Sequence, residues 1–470
     1  MLDSENILAS MPMKKLFFRL AIPAVLAQLV NILYNLVDKM FVGHIEETGA
    51  YALAGMGVAT PVILCISAIA ALVSMGGTPL ASIMIGKGDK DSAEKILGTC
   101  TFTLLILSVI ITVFMLCFGE KILLMFGADE DTIGYAVSYM KIYCLGTVFA
   151  QLTLGLNAFI TAQGDSRTSM VNVVIGAVVN VILDSIFIFA LHMGVQGAAL
   201  ATVIAQAVTS GFVLYYLLGD KSQIQLRKRY ICFDSVLLGP CLLLGLSPAL
   251  MQLTENLVAI SFNTSLQKYD GTMAVSAMSI LNSIMQFTML ILPGLVQGAQ
   301  PILSYNLGAE NEKRVKQCFR YLFLSCVSGS FFIWLCCMVA PREVAGIFTS
   351  DPELIAYTAQ AMRLFLAMLL IYGVQVACQY SFVALNNART AIFLTIWRKI
   401  ILLIPLIFIL PQFFSYNQVI GVFLAEPVAD TIAVLTTGPM FFHFMVKRHF
   451  GLDTGSTDTR KIILKTGKSE

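Results

Sequence analysis

Long apolar stretches separated by short polar loops recur along the whole 470-residue chain. Each contains about 20 residues or more, which is enough for a helix rising ~1.5 Å per residue to cross a hydrocarbon layer of ~30 Å. The twelve predicted spans are 16–38, 52–76, 93–118, 133–161, 168–190, 195–218, 240–262, 274–303, 316–340, 355–386, 391–411 and 419–446. This pattern predicts an all-α integral membrane protein with twelve transmembrane helices.

Composition and the N-terminal pattern agree with a membrane protein. Hydrophobic residues make up 57% of the chain and charged residues 12%, with a mean hydropathy of +0.82, values far from those of a soluble domain. The segment MKKLFFRLAIPAVLAQL contains no small-residue cleavage site, so we expect the first span to be retained. The eleven cysteines lack paired metal or redox spacing, and the net charge of +2 indicates no nucleic-acid partner.

Lysine and arginine are distributed unequally between the two ends of the predicted spans. With a cytoplasmic N-terminus, 22 of the 30 fall on the cytoplasmic side and 6 on the opposite side, while Arg398 and Lys399 lie inside a span. Loops rich in these residues stay on the cytoplasmic side of a membrane. We therefore expect a multi-pass protein of the cell membrane with both termini in the cytoplasm.

The second half of the chain repeats the first. MFGADEDTIGYAVSYMKIY from Met125 aligns with IFTSDPELIAYTAQAMRLF from Ile347, and the same offset of 222 relates Pro79 to Pro301. The offset is 225 near the start of each half and 224 near its end. Because each half holds six spans, an even number, the repeats are parallel. The predicted fold is two parallel six-helix repeats around a central cleft.

These repeats predict four parts of the chain. The first lobe is 1–218, a cytoplasmic linker is 219–239, the second lobe is 240–446 and a cytoplasmic tail is 447–470. Rocking of two such lobes around a site near the midplane is a general basis of alternating access.

The first span carries polar residues where apolar ones are expected. The residues on this face of LAQLVNILYNLVDKMFVGH are Gln28, Asn31, Tyr34, Asn35 and Asp38. An ionised carboxylate in apolar surroundings costs several kcal/mol, so Asp38 is a candidate proton or cation site. In a second interpretation, Asp38 reaches the outer headgroups beside Lys39.

The chain resembles the multidrug and toxic compound extrusion (MATE) family over nearly its whole length. The matching segments are IPAVLAQLVNILYNLVDKMFVGH, GKGDKDSAEK, SPALMQLTENLVAISFN and GVFLAEPVAD. The resemblance implies cation-driven export of amphipathic, often cationic, organic compounds. It implies no enzymatic activity and no cofactor besides the coupling ion, and we expect a functional monomer.

In the proton-coupled branch of that family, residues of the first, fifth and sixth spans form one network. The matching positions here are Tyr34, Asp38, Asn180, Asp184 and Thr202. Asn180 and Asp184 lie four residues apart and share a helix face. A purely structural role, in which these two bond neighbouring helices, remains the alternative.

The second lobe holds further candidates for binding the substrate or a cation. Glu255, with Gln252 one turn earlier, matches a glutamate of the sodium-coupled branch, but the tenth span carries Gln375 and Gln379 where that branch has an acid. The sequence therefore leaves open whether a sodium ion binds at Asp38, Asp184 or Glu255.

Other polar residues of the second lobe have two interpretations each. Glu426 and Asp430 either take part in transport or pair with Arg398 or Lys399. The glutamines of the eighth span either line the cleft or bridge helices. These are Gln286, Gln297 and Gln300.

The predicted function is secondary antiport of small organic compounds against H⁺ or Na⁺. A flippase for a lipid-linked precursor is the first alternative, but the deep charges are mainly acidic and suit a diphosphate poorly. A membrane-embedded enzyme is the second, and the sequence holds no HExxH or aspartate-rich repeat. An ATP-driven pump is disfavoured, because the GKS at 467–469 follows Ile462 where a P-loop needs glycine.

Overall fold

The computed structural model describes residues 7–45, 48–414 and 416–447. The predicted cytoplasmic tail therefore lies, except for Lys447, outside the described residues.

The described chain is nearly all helical, and its described residues contain no strand. The helices are α1 (Ile7–Ser10), α2 (Met13–Gly43), α3 (Gly49–Gly86), α4 (Lys90–Met125), α5 (Ile133–Leu145), α6 (Thr147–Ala162), α7 (Ser166–Asp184), α8 (Gly194–Leu218), α9 (Ser235–Gly308), α10 (Glu312–Val339), α11 (Pro341–Gly346), α12 (Pro352–Phe365), α13 (Leu369–Ala384), α14 (Ala388–Ile396), α15 (Ile404–Ile409) and α16 (Gln418–Lys447). Two π-helical segments, Ser185–Ala190 and Trp397–Leu403, extend α7 and α14.

These helices provide twelve membrane spans within the described part of the chain. Nine helices are long and apolar enough to cross a bilayer, and the bent pairs α5–α6 and α12–α13 bring the number to 11. The 74-residue α9 is interrupted at Gly271, where φ is 63°, and therefore supplies two spans. The predicted twelve-helix fold is confirmed.

The repeat is visible in individual hydrogen bonds. The Ser82 hydroxyl donates to the Ala162 carbonyl at 2.8 Å, and Ser304 donates to Ala384 at the same distance. Both members of the second pair follow those of the first by the offset of 222. The bends also correspond, at 60° between α5 and α6 and 50° between α12 and α13.

Helix starts follow the same register. The side chains of Asp165 and Asn387, which the offset of 222 also relates, accept hydrogen bonds from backbone N–H groups of the first helical turn at 3.1 and 3.4 Å. Such N-caps satisfy donors that the first helical turn leaves free. The start of α14 is therefore aligned with the start of α7.

The two lobes touch where α3 and α9 end. A Cβ on Gly86 would lie 2.0 Å from the Tyr305 carbonyl oxygen, and a Cβ on Gly308 would lie 2.0 Å from that of Ile83. Gly308 is the repeat partner of Gly86, and Tyr305 is that of Ile83, both at the offset of 222. The two contacts are therefore equivalent. Small residues let helix backbones approach this closely in membranes. The cleft is thus closed at the end that carries the described termini.

The linker is bound to the first lobe. The Gln163 side-chain oxygen accepts hydrogen bonds from Ser222 Oγ at 2.9 Å and from the backbone N–H groups of residues 223 and 224. The buried Glu94 carboxylate pairs with Arg227 Nε at 2.7 Å. Helix α9 begins at Ser235, slightly before the predicted start of the second lobe.

Candidate functional site

A cavity of about 350 Å³ lies in the first lobe, between α2, α3, α6, α7 and α8, with α9 closing one side. Its polar lining is neutral. The amide and phenol side chains that line it are Gln28, Asn31, Tyr34, Asn157, Asn172, Asn180, Gln206, Gln252, Gln297 and Gln300. None of its described lining residues is charged. The volume is that of a pocket for a small organic molecule.

The cavity follows α7 through much of the membrane. Its lining includes Ser166 at the first residue of α7 and Asn180 near the last. A helical segment of this length extends over roughly 21 Å. The cavity therefore runs from the closed end of the cleft to the level of the predicted coupling residues.

Two buried acids meet at the far end of this cavity. Asp38 on α2 is 5% exposed and Asp184 on α7 is 0% exposed, and the two carboxyl groups are near enough to interact electrostatically. Both Asp184 oxygens and Asp38 Oδ1 find no hydrogen-bond donor among the described side chains. Two adjacent carboxylates repel when both are ionised. The pair is suited to hold a proton or a small cation.

The remaining predicted coupling residues surround this pair. Tyr34 precedes Asp38 by one helical turn and lines the cavity, and Asn180 precedes Asp184 in the same way. Asn180 Nδ2 donates to Thr202 Oγ1 at 3.4 Å. The structure thus brings all five positions together.

Two tyrosines of α5 complete the site, and the sequence analysis missed them. Both are 3% exposed, with Tyr139 beside Thr202 and Tyr143 beside Gln206. Their rings stack with centroids 6.2 Å apart. Their spacing of four residues within an apolar span places both phenols on one face, and this signal could have revealed them.

Comparison with known proteins now identifies the family. The family model MatE matches two segments of this chain, residues 23–186 and 248–409. The chain belongs to the MatE family. The starts of the two segments are related by the offset of 225, which is that of the repeat near the start of each half.

Relatives and solved structures cover almost all of this MatE protein. It is 24% identical over 442 residues to the multidrug export protein MepA of Staphylococcus haemolyticus, covering 94% of this chain and 96% of MepA. The structure of the MATE multidrug transporter DinF-BH, solved as a complex, matches with a TM-score of 0.84 and 32% identity, over 91% of this chain and 95% of that one. An outward-facing MATE transporter of the MOP superfamily has the same fold, with a TM-score of 0.86 at 23% identity, over 94% of this chain and 98% of that one.

The second lobe of this MatE protein contains a buried charge cluster. Arg398 Nε donates to Asp430 Oδ1 at 2.7 Å, and Arg398 Nη2 donates to Glu426 Oε1 at 2.9 Å. The neighbouring Lys399 pairs with Glu255 at 2.9 Å. Of the two interpretations of Glu426 and Asp430, the structure displays the ion pair with Arg398.

The glutamines fall into three groups. Gln252 lines the first-lobe cavity from α9, and Gln297 accepts a hydrogen bond from Gln28 at 3.1 Å across the lobe boundary. Gln375 donates to Gln379, which donates to Thr395 at 2.8 Å inside the second lobe. Gln286 is exposed and does not line the cavity.

The described residues contain no group of three or more His, Cys, Asp or Glu side chains placed to hold a metal ion. The side chains of the site offer hydrogen bonding and ion pairing, and the acid pair is a candidate position for a proton or a small cation.

Proposed function

We propose that this MatE protein is a secondary antiporter that exports small organic compounds, including amphipathic cations, in exchange for H⁺ or Na⁺. The proximity of the two buried acids Asp38 and Asp184 at the end of the cavity carries the proposal. The names of its relatives support the substrate class, since MepA is a multidrug export protein and DinF-BH is a multidrug transporter.

The acid pair supplies a switch between two charge states. With an ion bound, repulsion within the pair is relieved and the site loses its attraction for a second cation. Without it, the pair is negative and attracts a cation into the neutral cavity. Tyr34 and Asn180 each lie one helical turn from an acid of the pair and also line the cavity. Through these two residues, ion binding at the acids affects substrate binding in the cavity.

Orientation follows from the charge distribution. With both termini in the cytoplasm, the end closed by Gly86 and Gly308 is cytoplasmic, and the acid pair lies in the outer half of the membrane. Ions then reach Asp38 and Asp184 from outside and favour outward release of the substrate. Each inward charge contributes ~2.3 kcal/mol per 100 mV of membrane potential.

Uptake of a fluorescent organic cation by inverted membrane vesicles tests this function. Asp38→Asn and Asp184→Asn should each lose gradient-driven uptake, while Asp131→Asn, an exposed carboxylate in the loop between α4 and α5, should retain it. Imposed pH and sodium gradients identify the coupling ion. Undiminished uptake by Asp38→Asn would rule out the acid pair as the coupling site.

A further inference from the structure

In the sequence repeat, residues of the second-lobe charge cluster correspond to residues that line the first-lobe cavity. The offset of 222, fixed at the helix starts by Asp165 and Asn387, aligns Gly176 with Arg398 and Ala177 with Lys399. Gly176 and Ala177 both line the cavity. The first lobe has small residues at both positions, with the Thr209 side chain 2.7 Å from the Cβ position of Gly176, whereas the second lobe carries long cationic side chains there.

The carboxylates of the cluster follow the same correspondence. The offset of 224 aligns Glu426 with Thr202 and Asp430 with Gln206, and both first-lobe residues line the cavity. Four positions that are small or neutral in the first lobe are therefore charged in the second. Arg398 is 3% exposed and its guanidinium lies over the Tyr372 ring, 5.0 Å from the centroid. The guanidinium is held by both acids and by an aromatic face.

Glu255 differs from the other acids of the cluster. Its side chain is 48% exposed, whereas that of its partner Lys399 is 5% exposed. Gln252, one turn earlier on α9, lines the cavity, so this face of α9 is directed into the cleft. Glu255 thus presents a carboxylate to the cleft while its counter-ion stays inside the lobe.

The cluster is nearly balanced in charge. Its three carboxylates face two cations, and Lys399 is the cation paired with Glu255. An ammonium 2.9 Å from a carboxylate occupies a place where a free monovalent cation would otherwise bind.

We propose that Lys399 is a tethered counter-ion which, by pairing with Glu255 in the filled counterpart of the first-lobe cavity, keeps free cations out of the second lobe. Cation binding is then confined to the first lobe. This inference does not require that the protein be an antiporter, because it concerns only which lobe binds a cation.

The test uses full-length purified protein and the Lys399→Met variant, which keeps the aliphatic bulk and removes the charge. Thermal unfolding is measured in sodium chloride and in choline chloride at equal ionic strength. We expect Lys399→Met to gain a sodium-dependent rise in Tm beyond that of the wild type, because the freed Glu255 binds sodium and binding stabilises the folded state. Tetraphenylphosphonium, a lipophilic cation, should bind the variant about tenfold more tightly than the wild type.

Glu255→Gln/Lys399→Met is the matched control, since it removes the pair as a unit. Its sodium response should return to that of the wild type. A Lys399→Met protein that responds to sodium no more than the wild type overturns the proposal, as does a double variant that keeps the gained response.

Folding of the variants is itself informative. If Lys399→Met does not fold, recovery of folded protein in the double variant still supports a charge-balancing role. Failure of both would show that Lys399 is needed for packing and would overturn the proposal.

Discussion

The Arg314 guanidinium donates to the Leu8 carbonyl at 3.0 Å and thereby ties the N-terminal α1 to the second lobe. It also donates to the Met11 carbonyl at 2.9 Å. The buried Leu8 side chain packs against Gly164, in the turn between α6 and α7 of the first lobe. The N-terminal segment therefore bridges both lobes at the closed end of the cleft.

Arg314→Ala should weaken this closed end. Hydrogen bonds from a charged donor contribute about 1.5–3 kcal/mol each, so we expect the population with separated lobes to rise about tenfold or more. Arg314→Lys, which keeps the charge but loses the planar pair of donors, should have a smaller effect. Electron-spin distance measurement between labels at exposed positions 90 and 320 reports the separation. Identical distance distributions in wild type and Arg314→Ala would contradict the bridge.

Gly86→Ala should also open the closed end. The added Cβ would lie 2.0 Å from the Tyr305 carbonyl oxygen, so the two helices have to move apart. Gly57→Ala in the same helix is the control, because nothing lies within 4 Å of its Cβ position. The same spin-label pair should show a longer distance for Gly86→Ala only. If both substitutions leave the distance unchanged, the close glycine contact does not hold the lobes together.

Asp38→Asn and Asp184→Asn should not be additive. If the two carboxyl groups form the single ion site proposed above, each substitution alone should reduce transport about as far as the double substitution does, roughly 100-fold. The initial rate of cation uptake in vesicles measures this at matched expression. Losses that multiply in the double variant would indicate two independent sites.

Glu94→Gln should release the linker. The buried carboxylate accepts from Arg227 Nε at 2.7 Å and from the Gln225 backbone N–H at 3.2 Å, and an amide cannot form the ion pair. Trypsin cleavage after the exposed Lys228 and Arg229 should accelerate about tenfold, since proteolysis follows local opening. Glu310→Gln, an exposed acid in the second lobe, should leave the cleavage rate unchanged. Equal rates for Glu94→Gln and wild type would show that the pair does not hold the linker.

Local pattern was sufficient to predict the spans and to single out the two buried acids, but not the nearby Tyr139 and Tyr143. Asp38 and Asp184 are conspicuous because a carboxylate inside an apolar run has a large desolvation cost, whatever it contacts. The repeat then placed each span in one of two similar halves. An acid within an apolar run is visible in a short segment of sequence, and the repeat is visible as similarity between two such segments.

Contacts between distant segments could not be predicted in the same way. Nothing in the spacing of Glu255 and Lys399 specifies that they meet, because the pairing depends on how α9 rotates against the eleventh span. Gln163 was equally inconspicuous, since its role arises only from the path of the linker beneath the first lobe. Periodicity assigns a face to each helix but does not select the partner of that face.

The glycine contacts at the closed end have a consequence for how the cleft opens. Gly86 against Tyr305 and Gly308 against Ile83 are two copies of one contact about an approximate twofold axis. A rocking motion that breaks one copy breaks the other in the same movement. Opening of this end should therefore separate the two glycine contacts together rather than one after the other.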